Sequence, residues 1–124
     1  MIAAATELLR RHHRPFWHTV AAAIRSADGR IWTGLHLGAT VGRMSICAEP
    51  IAFGRALIDG DGTAAVVVAV RHPKPGEGVD EIAVVSPCGA CRELLLDHAP
   101  EALVIVPGGR KLPVRAMLPL PYQR

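Results

Sequence analysis

With 124 residues, half of them hydrophobic and a fifth charged, the chain can bury the core of one domain, 1–124, without disulfide staples, and its composition excludes a disordered chain. A formal charge of +3 and a pI near 9.1 permit an anionic ligand, but no dense stripe of lysine and arginine marks a nucleic-acid polymer as partner. An aromatic content of 4% likewise leaves little for a base-stacking platform.

Residues 2–13 read as a helix, with Ile2, Ala5, Leu8 and Leu9 at helical spacing and Pro15 ending it. The basic cluster Arg10-Arg11-His12-His13-Arg14 is then its solvated C-terminal end, where positive charge suits the helix dipole. Residues 18–25 and 30–37 flank an Asp28-Gly29 turn and predict an antiparallel strand pair. After a loop at 38–45, a second helix begins around Cys47 and runs to about Ile58. Pro50 is tolerable only in a first turn, where backbone N–H groups lack partners, so it places Cys47 and Glu49 at a helix N-terminus. Residues 63–71 form a β-branched run expected to be a strand buried on both faces. Residues 72–79 are a loop, 81–86 a strand, 88–98 a third helix opened by Pro87, and 103–106 a last strand. Gly108-Gly109 makes a turn, 114–118 a short helix or strand, and the tail carries no regular signal. This is an α/β chain, with helices on both faces of a mixed five-stranded sheet in three layers.

All three cysteines fall in two stretches, Cys47-Ala48-Glu49 and Pro87-Cys88-Gly89-Ala90-Cys91-Arg92. An odd count in a short chain argues against a disulfide framework and for metal or redox chemistry in a reducing compartment. Cys88 and Cys91, three apart, share one helical face, and Cys47 reaches the same ion from a second helix N-terminus. Three thiolate ligands leave one tetrahedral position open, which marks a catalytic zinc, and Glu49 is then the group that moves protons to and from an activated water. Cys-x-Glu followed by Pro-Cys-x-x-Cys is the pattern of zinc deaminases. A structural zinc would need a fourth ligand, yet none of His18, His36, His72 and His98 has ligand spacing to a cysteine pair. A redox Cys-x-x-Cys leaves Cys47-Ala48-Glu49 unexplained. The N-terminus shows neither a basic stretch nor a long apolar one, and the longest apolar run, 64–70, is too short to span a bilayer. A cytoplasmic protein without membrane contact is expected.

The chain resembles the small, single-domain cytidine deaminase family, including its blasticidin S deaminase relatives, over nearly its whole length. The resemblance rests on Val20-Ala21-Ala22-Ala23, Asp28-Gly29, Gly34, Cys47-Ala48-Glu49 and Ser86-Pro87-Cys88-Gly89-Ala90-Cys91-Arg92. It implies a zinc-dependent hydrolytic deaminase, usually a homotetramer whose neighbouring subunits help to wall each active site. Cys47, Cys88 and Cys91 would bind the zinc, Glu49 would shuttle protons, and the peptide N–H groups near Ala48 and Cys88 would meet the attacked ring.

The departures bear on substrate. Family members usually hold a ribose with an Asn and a Glu spaced two apart, at positions that fall here on His36 and Gly38, and an aromatic residue of the pocket falls on His18. Two histidines in a reshaped pocket are therefore expected to contact substrate. Pro50 replaces the Arg that often follows the glutamate, so Arg92 is expected to donate to a ligand sulfur and offset the negative charge of a three-thiolate site. The resulting expectation is a deaminase of a cytosine-like ring. The substrate alternatives are another amino-heterocycle or a blasticidin-type nucleoside antibiotic. The alternative outside the enzyme class is a non-catalytic zinc module.

Overall fold

The computed structural model describes residues 1–123. Among them the order is α1 (Ile2–His12), β1 (Val20–Arg25), β2 (Ile31–Leu35), α2 (Ala48–Asp59), β3 (Val66–Arg71), β4 (Ala83–Val85), α3 (Gly89–His98), β5 (Leu103–Ile105) and β6 (Lys111–Pro113). Short 3-10 helices occupy Gly42–Met44 and Val114–Met117. No helix among the described residues is long and apolar enough to cross a membrane.

The strands form one mixed sheet in the order β2-β1-β3-β5-β6, with β4 also paired to β3. β1 is antiparallel to both β2 and β3, while β3 and β5 run parallel. The sheet has six strands, not the expected five. The missed strand, β6, is only Lys111-Leu112-Pro113, and it follows a turn in which Gly108 and Gly109 both take positive φ, 83° and 74°. A proline lowers the strand signal, yet it is tolerated at a sheet edge, where its missing N–H leaves no ladder bond unmade.

Both faces of the sheet are covered. On one, Ala5 and Leu9 of α1 pack on Ala21, Ala23, Val68 and Val70. On the other, Ala48, Ala52 and Phe53 of α2 and Leu95 of α3 pack with Ala22, Ile24, Val67 and Ala69. The alternation along β1 and β3 serves two hydrophobic layers, which is why both strands read as unbroken apolar runs. Small residues bring α2 close to the sheet. A Cβ on Gly34 of β2 would run into the Ala48 carbonyl oxygen and the Ala52 nitrogen. Gly34 therefore sets the seat of the helix that begins at Cys47.

The Asp28-Gly29 turn joins β1 and β2 as expected, with Gly29 at φ 87° and Ser26 N–H donating to the Arg30 carbonyl at 3.0 Å. The segment before β1 is not strand. Arg14 and His18 close a tight loop through a two-way backbone contact, and Phe16 at its tip adopts φ 67°.

Candidate active site

Cys47 is the N-cap of α2 and Cys88 the N-cap of α3, both with extended backbone, and Cys91 lies in the first turn of α3. The two helices point their N-termini at one place, so both dipoles favour negative charge there. The sulfur atoms of Cys47, Cys88 and Cys91 lie within 4.8 Å of one another, and those of Cys47 and Cys88 are 3.5 Å apart. Ligands at about 2.3 Å around a tetrahedral zinc would stand roughly 3.8 Å apart, so the donor set fits zinc in both chemistry and spacing.

The three thiols are not equivalent. Burial pushes Cys47 above its ordinary value, and the neighbouring Cys88 thiol adds to the push. Burial raises Cys91 much further, with the Glu49 charge adding to it. Burial also opposes ionisation of Cys88, but the Cys91 backbone N–H and the Cys47 and Cys91 thiols outweigh it, and Cys88 ends below its ordinary value. Cys88 is thus the first thiolate to form, and a bound cation would have to drive the remaining protons off.

Beside the sulfurs is a hollow of about 250 Å³ lined by Thr19, Val20, His36, Cys47, Ala48, Glu49, Val85, Ser86 and Cys88. Glu49 is only 4% exposed, and none of its carboxylate oxygens is a buried atom without a partner. Glu49 lines the hollow together with Cys47 and Cys88, two residues after Cys47 in the first turn of α2. A buried carboxylate in that place can take a proton from water and hand it on.

His36 lines the hollow. Its Nδ1 meets the Thr19 hydroxyl at 3.3 Å, leaving Nε2 as the nitrogen available to a ligand. Burial, reinforced by the nearby His18, lowers the His36 pKa, so the ring is neutral at pH 7. Ala48 contributes to the wall. His18 does not line the hollow. Its Nδ1–H donates to the His36 carbonyl at 2.9 Å, which places it behind His36 as a support rather than at the surface a substrate would touch.

Arg92 departs from expectation. Its Nε donates to the Pro87 carbonyl at 2.9 Å and its Nη1 to the Met117 carbonyl at 3.2 Å, and among the described residues no hydrogen bond joins it to a cysteine sulfur. One residue beyond Cys91 on a helix is a turn of about 100°, which carries the side chain away from the metal-facing side. Arg92 instead ties the strand end before Cys88 to the 3-10 helix at Val114–Met117. The groups that favour negative charge beside the cysteines are the N-termini of α2 and α3.

Thr19 and Ser86 also line the hollow, where the sequence predicts no substrate contact for either. Ser86 directly precedes Pro87-Cys88, so its place in the motif was the available signal. Thr19 offered none beyond its position beside His18. Tyr122 lies against the outer face of α3 with Glu93, Leu96 and Asp97, away from the hollow.

No family model matches the chain. Among individual proteins, it is 40% identical to the blasticidin-S deaminase of Bacillus cereus, over all of this chain and 91% of that protein. It is 33% identical to the cytidine deaminase of Sporosarcina psychrophila over 63% of this chain and 52% of that protein's length. Its fold matches the crystal structure of cytidine deaminase from Mycobacterium leprae with a TM-score of 0.76 at 28% identity, over 94% of this chain and 92% of that one.

Proposed function

Since this chain belongs to the family of small cytidine and blasticidin-S deaminases, and is a deaminase of that kind, we propose that it is a zinc-dependent aminohydrolase acting on the exocyclic amine of a cytosine-like ring. The observation that carries this reading is the convergence of three cysteine sulfurs and one buried carboxylate, Glu49, on a single hollow. Cys47, Cys88 and Cys91 would hold the zinc, which when bound lowers the pKa of a water toward neutrality.

The chain's own groups account for the rest. The ring enters the hollow with its amine-bearing carbon toward the sulfurs. Glu49 takes a proton from the water as a C–O bond forms at that carbon. It delivers that proton to the ring nitrogen, which keeps it, and then carries the new hydroxyl's remaining proton to the amine, so that the C–N bond breaks, ammonia leaves and a carbonyl remains. Neutral His36, fixed by Thr19 and by its contact with His18, offers Nε2 to the substrate. Hydrophobic Val20 and Val85 exclude bulk water from the ring faces.

Glu49→Gln tests the reading. It keeps the shape of the side chain but not its base, and should lower the rate of ammonia release by about 10²–10⁴-fold. Zinc content and circular dichroism should stay unchanged. A variant that retains the wild-type rate would overturn the mechanism.

A second reading concerns the substrate. His36 and Gly38 stand where family members usually carry ribose-binding side chains, and the relative matched over the full chain is a blasticidin-S deaminase. These favour a blasticidin-type nucleoside over plain cytidine, and ammonia release from each separates the two. We also read the chain as a cytoplasmic homo-oligomer of the tetrameric type. Leu37 and Ile46 pair beside the cysteine loop, and with Val41 and Met44 they leave apolar side chains 41–64% exposed at the rim of the site. Val41→Asp should shift the oligomer toward smaller species in light scattering, and an unchanged mass would count against that rim as the interface.

A further inference from the structure

A second cavity, of about 370 Å³, opens at the same end of the sheet and is larger than the catalytic hollow. It is lined by His13 and Phe16 after α1, by Thr19, and by His72, Pro73 and Lys74 after β3, with Arg71, Pro15 and Pro75 completing the wall. Thr19 is common to both spaces. Its hydroxyl meets His36 Nδ1 at 3.3 Å on the catalytic side, while its carbonyl accepts the His72 N–H at 2.9 Å on the other. A hollow of about 250 Å³ falls below the roughly 300–1,000 Å³ of sites for drug-sized ligands. It takes one ring, and a substituent on that ring must go elsewhere.

The charges in the second cavity are of one sign. Arg71 is already neutralised by Glu77, with both Nη atoms 3.0 Å from its carboxylate oxygens. Lys74 has no ion pair among the described residues, although its charge also reaches the Glu77 carboxylate. The rings of His13 and His72 are stacked, 3.5 Å between centroids and 8° from parallel, and His72 Nδ1–H donates to the Pro73 carbonyl at 2.9 Å. Asp80 lies in the adjoining hollow with Gly76, Gly78 and Val79, not in this cavity's lining. Phe16, in a left-handed conformation that costs a non-glycine residue about 1–2 kcal/mol, forms one wall.

The geometry points to a substrate subsite for an anionic group, carboxylate or phosphate, carried on the substituent of the ring held beside Glu49, with Lys74 as its counter-charge. This rests on the deaminase reading of the neighbouring hollow. The test is calorimetric binding to the zinc-loaded Glu49→Gln protein, which reads affinity without turnover. The probes are cytidine, cytidine 5′-monophosphate and the cytidine 5′-carboxylic acid. At least one acid should bind about tenfold more tightly than cytidine, roughly 1.4 kcal/mol, and which one does so separates phosphate from carboxylate. Adding Lys74→Met should abolish that preference and leave cytidine binding unchanged, and Lys74→Arg should restore it. Equal binding of all three probes, binding of none, or an equal loss for all three in Lys74→Met would overturn the subsite. Ammonia release from the wild-type protein is scored separately. Its absence on every probe and on blasticidin S, with the acid preference intact, would sink the deaminase reading and leave the anion site standing.

Discussion

A Cβ at Gly38 would meet the Phe16 carbonyl oxygen at 2.5 Å and the Trp17 Cα at 2.9 Å. Family members usually place a sugar-binding glutamate at this position, so its loss reads from sequence as a missing ligand contact. In the folded chain the glycine also serves the backbone. Its N–H donates to the Trp17 carbonyl at 2.7 Å, and the loop it holds carries His18 to the His36 carbonyl. Gly38→Glu therefore does not regain a sugar ligand. The new side chain must push the 14–18 loop off β2's extension and with it the His18–His36 contact. Overpacking of this kind costs about 1–3 kcal/mol, and the melting temperature should fall accordingly. Turnover of cytidine should fall as well. A Gly38→Glu protein with wild-type stability and faster cytidine deamination would show that the position is free to accept a carboxylate and that the close approach is not the constraint.

Gly34 plays the same part for an element. Ala48 and Ala52 of α2 lie directly over it, and the first turn of that helix presents Cys47 and Glu49. Gly34→Ala should displace α2 outward from β2. A loss of about 1–3 kcal/mol is expected, along with weaker zinc retention, because Cys47 moves while Cys88 and Cys91 stay on α3. Chemical denaturation and metal content after dialysis measure the two effects. Loss of stability with full zinc retention would place the strain elsewhere. The elements that position the site were legible because their signals are chemical and local. Pro50 marks a first turn, Pro87 the residue before a helix N-cap, Asp28-Gly29 a hairpin, and the β-branched run in β3 a buried strand. What escaped depended on contacts distant in sequence. β6 exists because Leu103 and Val104 offer it an edge to pair with. The guanidinium of Arg92 goes to carbonyls of Pro87 and Met117, the second of which is 25 residues away and in no motif. The stacking of His13 on His72 joins the end of α1 to the end of β3, and neither residue's neighbours in sequence announce it.

For the molecule as a whole, the cysteine cluster joins α2 to α3 across a shared hydrophobic layer in which both helices pack on the sheet but touch each other little. A metal bound there acts as a cross-link in the folded state only, so its binding energy adds to folding stability. At a free zinc concentration about 1,000 times Kd the gain is about 4 kcal/mol, and chelation should lower the melting temperature by a corresponding amount, reversibly on adding zinc. The same linkage has a pH sign. Cys91 and Cys47 lie above their ordinary thiol values in the metal-free protein, so both are protonated at neutral pH and must release protons on binding. Protons then compete with the cation, and zinc affinity falls as pH falls. Competition with a chromophoric chelator between pH 6 and 8 should give a log affinity that rises with pH, with a slope of at least about two, for the protons displaced from Cys47 and Cys91. The zinc-dependent part of the stability should shrink in parallel over that window. Cys91→Ser should lose both the zinc-dependent stability and the pH slope. A pH-independent affinity would mean that the thiols are already ionised before the metal arrives, and that the helix N-termini outweigh burial at this site.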